Sequence, residues 1–106
     1  MTRTPKEYER DIKDEPTRLE GKLSGFCPVQ GVGTVAGHRF YFRARHDSWT
    51  FAVSADRDVD PVDIQLPGQG FRREGSYTQS DAGWMPLDEA EAIIRNCVRE
   101  YLGRDI

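Results

Sequence analysis

Between His38 and Arg45 the chain alternates without interruption: His38, Phe40, Phe42 and Ala44 share one parity, and Arg39, Tyr41, Arg43 and Arg45 share the other. Successive side chains of a strand point to opposite faces of a sheet. This octapeptide therefore fits a half-buried strand with one apolar and one cationic face. A helix would scatter the same residues around its circumference. The pattern demands a second layer, because something apolar must cover Phe40 and Phe42 while the arginines face water or an anion.

The flanking segments supply the rest of a sheet. Trp49, Phe51, Val53 and Ala55 alternate with Thr50, Ala52 and Ser54, and His46-Asp47-Ser48 is a short polar connection that suits a hairpin. Val29 to Val35 reads as a weaker strand, joined through Ala36-Gly37 by a tight turn that glycine permits at positive φ. Val62 to Leu66 alternates again. Pro67-Gly68-Gln69-Gly70 is turn chemistry before a last strand from Phe71 to Tyr77. The expected sheet is an antiparallel meander of four or five strands. From Leu87 to Leu102 the period changes to that of a helix, with Ala90, Ile93, Ile94, Cys97, Val98, Tyr101 and Leu102 on one stripe. That stripe is the second layer, and the fold class is α+β.

The first 25 residues hold six basic and six acidic side chains, and their sizeable apolar residues are Tyr8, Ile12, Leu19 and Leu23. Thr4, Pro5 and Glu7 match the start of a helix. Tyr8 and Ile12 stand four apart, and Pro16 should end the run. A short helix over about residues 5–14 is expected, so that 1–25 form a charged arm and 26–106 a single α+β domain. A chain of 106 residues suits one domain.

The net charge of −3 argues against a general nucleic-acid coat. Its distribution is uneven: residues 26–55 set Arg39, Arg43 and Arg45 against Asp47, whereas 56–70 set Asp56, Asp58, Asp60 and Asp63 against Arg57. No apolar run is long enough to span a membrane and the N-terminus has no signal core, so a soluble, cytoplasmic protein with reduced thiols at Cys27 and Cys97 is expected.

Several patterns resemble sites and fail on geometry. Counting Asp56 as the first position of a calcium loop puts Pro61 where the sharp-turn glycine belongs and Pro67 where the bidentate acid belongs. His46-Asp47-Ser48 places the residue types of a hydrolase triad side by side, where they cannot converge. Gly31-x-Gly33-x-x-x-Gly37 misses the dinucleotide fingerprint by one residue and leads into a strand. Cys27, His38, His46 and Cys97 are dispersed singly, without zinc-ligand spacing. No catalytic residue, metal site or cofactor is expected.

What remains points to binding. The acidic run Asp56, Asp58, Asp60 and Asp63 would steer a cationic partner. Trp84 and Met85, if exposed, are the natural anchor for a protein, since aromatic residues dominate interface energetics. The expectation is a small acidic, non-enzymatic protein-binding module, an inhibitor or adaptor. One concrete form is a phage-type blocker, anti-CRISPR-like or DNA-mimicking, of a nucleic-acid-binding complex. The alternative is a phosphate- or nucleic-acid-binding domain using Arg39, Tyr41, Arg43 and Arg45. An exposed sheet edge would also allow a homodimer.

Overall fold

A computed structural model describes residues 9–26, 28–55, 60–61, 70–78 and 81–103. Six strands, β1 (Glu9–Asp14), β2 (Leu19–Ser24), β3 (Val29–Val35), β4 (His38–Arg45), β5 (Ser48–Ser54) and β6 (Gly70–Ser76), precede a 3-10 turn at Ala82–Trp84 and the helix α1 (Leu87–Gly103). Every strand pairs antiparallel with its neighbour in the chain, so the sheet order is the chain order. This is the α+β meander expected, with six strands in place of four or five. The alternating segment Val62 to Leu66 lies outside the described residues.

Parity decides which side chains enter the core. In β4, Phe40, Phe42 and Ala44 are buried while Arg39, Arg43 and Arg45 are exposed. The register then stacks one core-facing row across the whole sheet: Ile12, Gly21, Gly33, Phe40, Val53 and Phe71. The two glycines at its centre are required by close approach. A Cβ on Gly21 would lie 2.8 Å from the tip of the Phe40 ring, and one on Gly33 would collide with the Glu20 carbonyl oxygen. Phe40 thus fills the space that the missing side chain of Gly21 leaves, the way aromatic residues cover strand glycines elsewhere. The connection Ala36-Gly37 is a tight turn as expected, with φ of 51° and 85°.

Helix α1 closes the core. Leu87, Ala90, Ile94, Cys97, Val98 and Tyr101 are buried against the sheet. Phe71 meets the Tyr101 ring edge-on at 5.4 Å between centroids, and Phe40 stacks on Phe51 at 5.7 Å. Fully burying each large apolar side chain contributes about 1.5–3 kcal/mol, so this layer contact dominates the energetics.

The N-terminal segment departs from expectation. Residues 9–14 form strand β1, not a helix, and residues 19–24 form β2; the expected helix start at Thr4 to Glu7 lies outside the described residues. Pro16 falls in the β1–β2 turn, where Thr17 donates from both its backbone N and its hydroxyl to the Asp14 carboxylate. The strand is held by the helix. On its core-facing side β1 carries one buried residue, Ile12, flanked by Arg10 and Asp14. Arg10 donates to Asp88 at 2.7 Å and to Glu91 at 3.0 Å. Arg95 bridges Glu91 and Asp14, at 2.8 and 3.7 Å, and donates to the Lys13 carbonyl oxygen. Two arginines and three carboxylates therefore alternate along the seam between the first strand and the last helix.

Burial alone would raise the Glu91 carboxyl, but hydrogen bonds from Arg10 and Arg95 more than offset it and hold it below its ordinary value of 4.5. A carboxylate lowered in the folded state stabilises fully above its unfolded pKa and loses that contribution as pH falls through the folded one. Glu91→Gln should lower stability by about 1 kcal/mol at pH 7. It should also flatten the decline below about pH 4.5, as urea titrations across pH would show. Gly33→Ala should cost about 1–3 kcal/mol by overpacking, measured as a lower thermal midpoint with unchanged far-ultraviolet dichroism.

Candidate functional site

Of the acidic run, Asp60 alone is among the described residues, and it is exposed; Asp56, Asp58 and Asp63 lie outside them. Two other surfaces have a defined geometry.

At the first, Trp84 and Met85 separate. Met85 is fully buried in the core cluster, which corrects the expectation that both residues could anchor a partner; Trp84 is 61% exposed. The backbone explains the split. Asp81 precedes the 3-10 turn with its carboxylate accepting from the Gly83 amide at 2.7 Å and the His46 amide at 3.0 Å, while the Ala82 amide donates to the His46 carbonyl oxygen at 2.6 Å. Ala82, Gly83 and Met85 are thereby held inward on either side of an outward Trp84. Its indole stacks on Phe26 at 5.5 Å with 22° between planes, and Phe26 itself packs against the core. The aromatic pair sits where the β2–β3 connection meets the approach to α1, beside exposed Pro86 and half-buried Pro28. Nothing in the periodicity of the sequence singles out Phe26; its role comes from the stack alone.

The second surface is the outer face of the sheet, opposite the helix. Arg39, Tyr41, Arg43 and Arg45 do share that face, as their parity requires. Arg39, Arg43 and Arg45 are exposed and Tyr41 is half-buried, its hydroxyl donating to Gln30 Oε1 at 3.0 Å. The outward residues of β3, β4 and β5 include three arginines and no carboxylate. On β6, Arg72 and Glu74 neutralise one another at 2.7 Å.

The other candidates resolve into structure. The half-buried His38 ring bonds through Nδ1 to the Ser54 carbonyl oxygen at 3.0 Å. His46 and Asp47 form the β4–β5 turn, with His46 at a φ of 59°, and Gly31 and Gly33 are strand residues. Cys97 lies at the base of a groove of about 550 Å³ lined by Trp49, Ile93, Asn96, Cys97, Arg99 and Glu100. Cys27 lies outside the described residues. Among the described residues no three His, Cys, Asp or Glu side chains gather as metal ligands, and no helix is long and apolar enough to cross a membrane.

No family model matches the chain, and no curated protein or solved structure matches it. The two surfaces are therefore read from their chemistry.

Burial, with a smaller contribution from Glu100, pushes the Cys97 thiol up from 9.0 to about 11 against the opposing charge of Arg73. Since the thiolate is the nucleophile, Cys97 should resist iodoacetamide at pH 8 in the folded protein and react promptly in urea. Peptide mass spectrometry of the alkylated chain would read this site by itself.

Proposed function

We propose that this protein is a non-enzymatic binding module whose partner is another protein, engaged through the Trp84–Phe26 end of the sheet. The observation that carries this reading is an exposed indole fixed in place before any partner arrives. Large side chains free to rotate lose entropy on binding. Trp84 has already lost much of it, because the 3-10 turn is pinned on both sides by buried residues and the ring is stacked from below. A tryptophan presented this way is the residue type that contributes most at interface centres.

The inhibitor form of the reading, a phage-type blocker that offers carboxylates in place of phosphates, adds the acidic run Asp56, Asp58, Asp60 and Asp63 to the contact. Its support is composition. A homodimer through a sheet edge is a weaker form, since edge strand β1 carries charges on both faces and inward-pointing charge discourages edge pairing.

Affinity capture from native lysate with wild type, Trp84→Ala and the four-Asp-to-Asn variant separates these forms. Trp84→Ala should lose a stoichiometric protein partner, with at least about a tenfold drop in affinity, while its thermal midpoint stays close to that of wild type. Retention of the same partner by Trp84→Ala would defeat the proposal. Loss in the four-Asp variant as well would extend the contact to the acidic run.

A further inference from the structure

We propose that the outer sheet face is a second, independent site that binds single-stranded nucleic acid along strand β4. Arg43 and Arg45 sit on one exposed face, about 7 Å apart along the strand because alternate residues of a strand are separated by twice its rise. Neither forms an ion pair with another described residue, in contrast to Arg10, Arg72, Arg73 and Arg95, which all do. Arg39 continues the same line on the far side of Tyr41. Exposed cations on a protein of net charge −3 would ordinarily find carboxylates nearby. Here the outward positions of β3 to β5 contain none.

Between the charges lies an apolar step. Val32, 53% exposed, pairs in register with Tyr41, and the tyrosine is fixed by its bond to Gln30. Gln30 in turn pairs with Arg43, and Thr50 flanks Arg43 on its other side. A ring and a branched methyl pair at the surface, set within a line of guanidinium groups and neutral hydrogen-bonding side chains, complement a ligand with flat apolar faces and repeated negative charge. Base–aromatic stacking tolerates any sequence, and arginines track the backbone.

Shape chooses between ligands that carry both features. A mononucleotide would need a concave pocket to bury most of its surface, whereas these groups lie in line on a strand with no described element packed over Val32, Arg43 or Arg45. An extended chain fits a line. An acidic protein would satisfy the arginines but would make no specific use of the Tyr41 ring.

Fluorescence anisotropy with labelled oligothymidylate and oligouridylate tests the site, with heparin and polyglutamate as base-free polyanions and a mononucleotide as the small ligand. Saturable binding of an oligonucleotide is expected at about 50 mM salt, weakening steeply towards 200 mM. Arg43→Ala and Arg45→Ala should each reduce the logarithmic salt slope by about 0.7. Tyr41→Ala should weaken binding about tenfold and Tyr41→Phe should restore it, since the ring and not the hydroxyl stacks. Trp84→Ala should leave oligonucleotide affinity unchanged, which separates this site from the protein-binding end. Thermal unfolding of each variant reports on folding, and Arg43→Glu with Arg45→Glu gives a second pair should an alanine variant prove unstable. Absence of oligonucleotide binding at low salt would overturn the proposal. So would polyglutamate or heparin binding equally with Tyr41→Ala without effect, or a mononucleotide binding as tightly as the oligonucleotide.

Discussion

Burial of one helix stripe against one sheet face is the interaction on which the rest of this structure depends. A six-stranded meander with a single covered face cannot hide its own aromatic rings. Phe40, Phe42 and Phe51 are almost wholly removed from water, and the residues that close over them come from a helix that begins after the last strand. The sheet contributes breadth and α1 contributes closure. Removing that closure would leave a large apolar surface on a flat sheet, which is an aggregation hazard and not a folded state.

Topology divides the stabilisation into local and distant parts. Each strand pairs with its neighbour in the chain, so the meander can assemble from successive hairpins with little loop-closure entropy to overcome. The seam between β1 and α1 is different: Arg10 reaches Asp88 and Glu91 across 78 and 81 positions. Individual ion pairs at such partly exposed sites contribute at most about 1 kcal/mol. Their value here is positional. With Ile12 as its only buried side chain, β1 has little hydrophobic reason to lie in one register, and charges on alternating partners along the helix fix the register that burial alone leaves open.

The same seam explains how much of the fold is legible in the sequence. Strands β4 and β5 and helix α1 are legible because large apolar residues recur at one period through each, and period is a property of the sequence alone; β3 and β6 are legible from the glycine and proline turn chemistry beside them. Strands β1 and β2 are not. Tyr8 and Ile12, like Leu19 and Leu23, stand four apart, a spacing that puts residues on one face of a helix and equally on one face of a strand. The discriminating neighbours, Arg10 and Asp14, are charged, and their partners Asp88, Glu91 and Arg95 lie on the far end of the chain. A local reading takes such charges as solvated and chooses the helix. Trp84 and Met85 fail for a related reason: adjacent residues in an irregular turn have no parity, so which one points inward is decided by hydrogen bonds from Asp81 and His46 that no spacing announces. The cationic face of β4 is legible, since strand parity alone places its four residues together.

These physical divisions give the molecule two surfaces that do not compete. The helix occupies one sheet face, Arg43 and Arg45 are exposed on the other, and the Trp84–Phe26 pair sits where the β2–β3 connection meets the approach to α1. The electrostatic pattern keeps them distinct. Asp88 and Glu91 of the helix and Asp14 of β1 are committed to Arg10 and Arg95 at the seam, so that part of the acidic charge is neutralised where β1 meets α1. Arg43 and Arg45 of β4 form no ion pair with another described residue. Because both are also exposed, their guanidinium groups are the ones the proposed anionic ligand would engage.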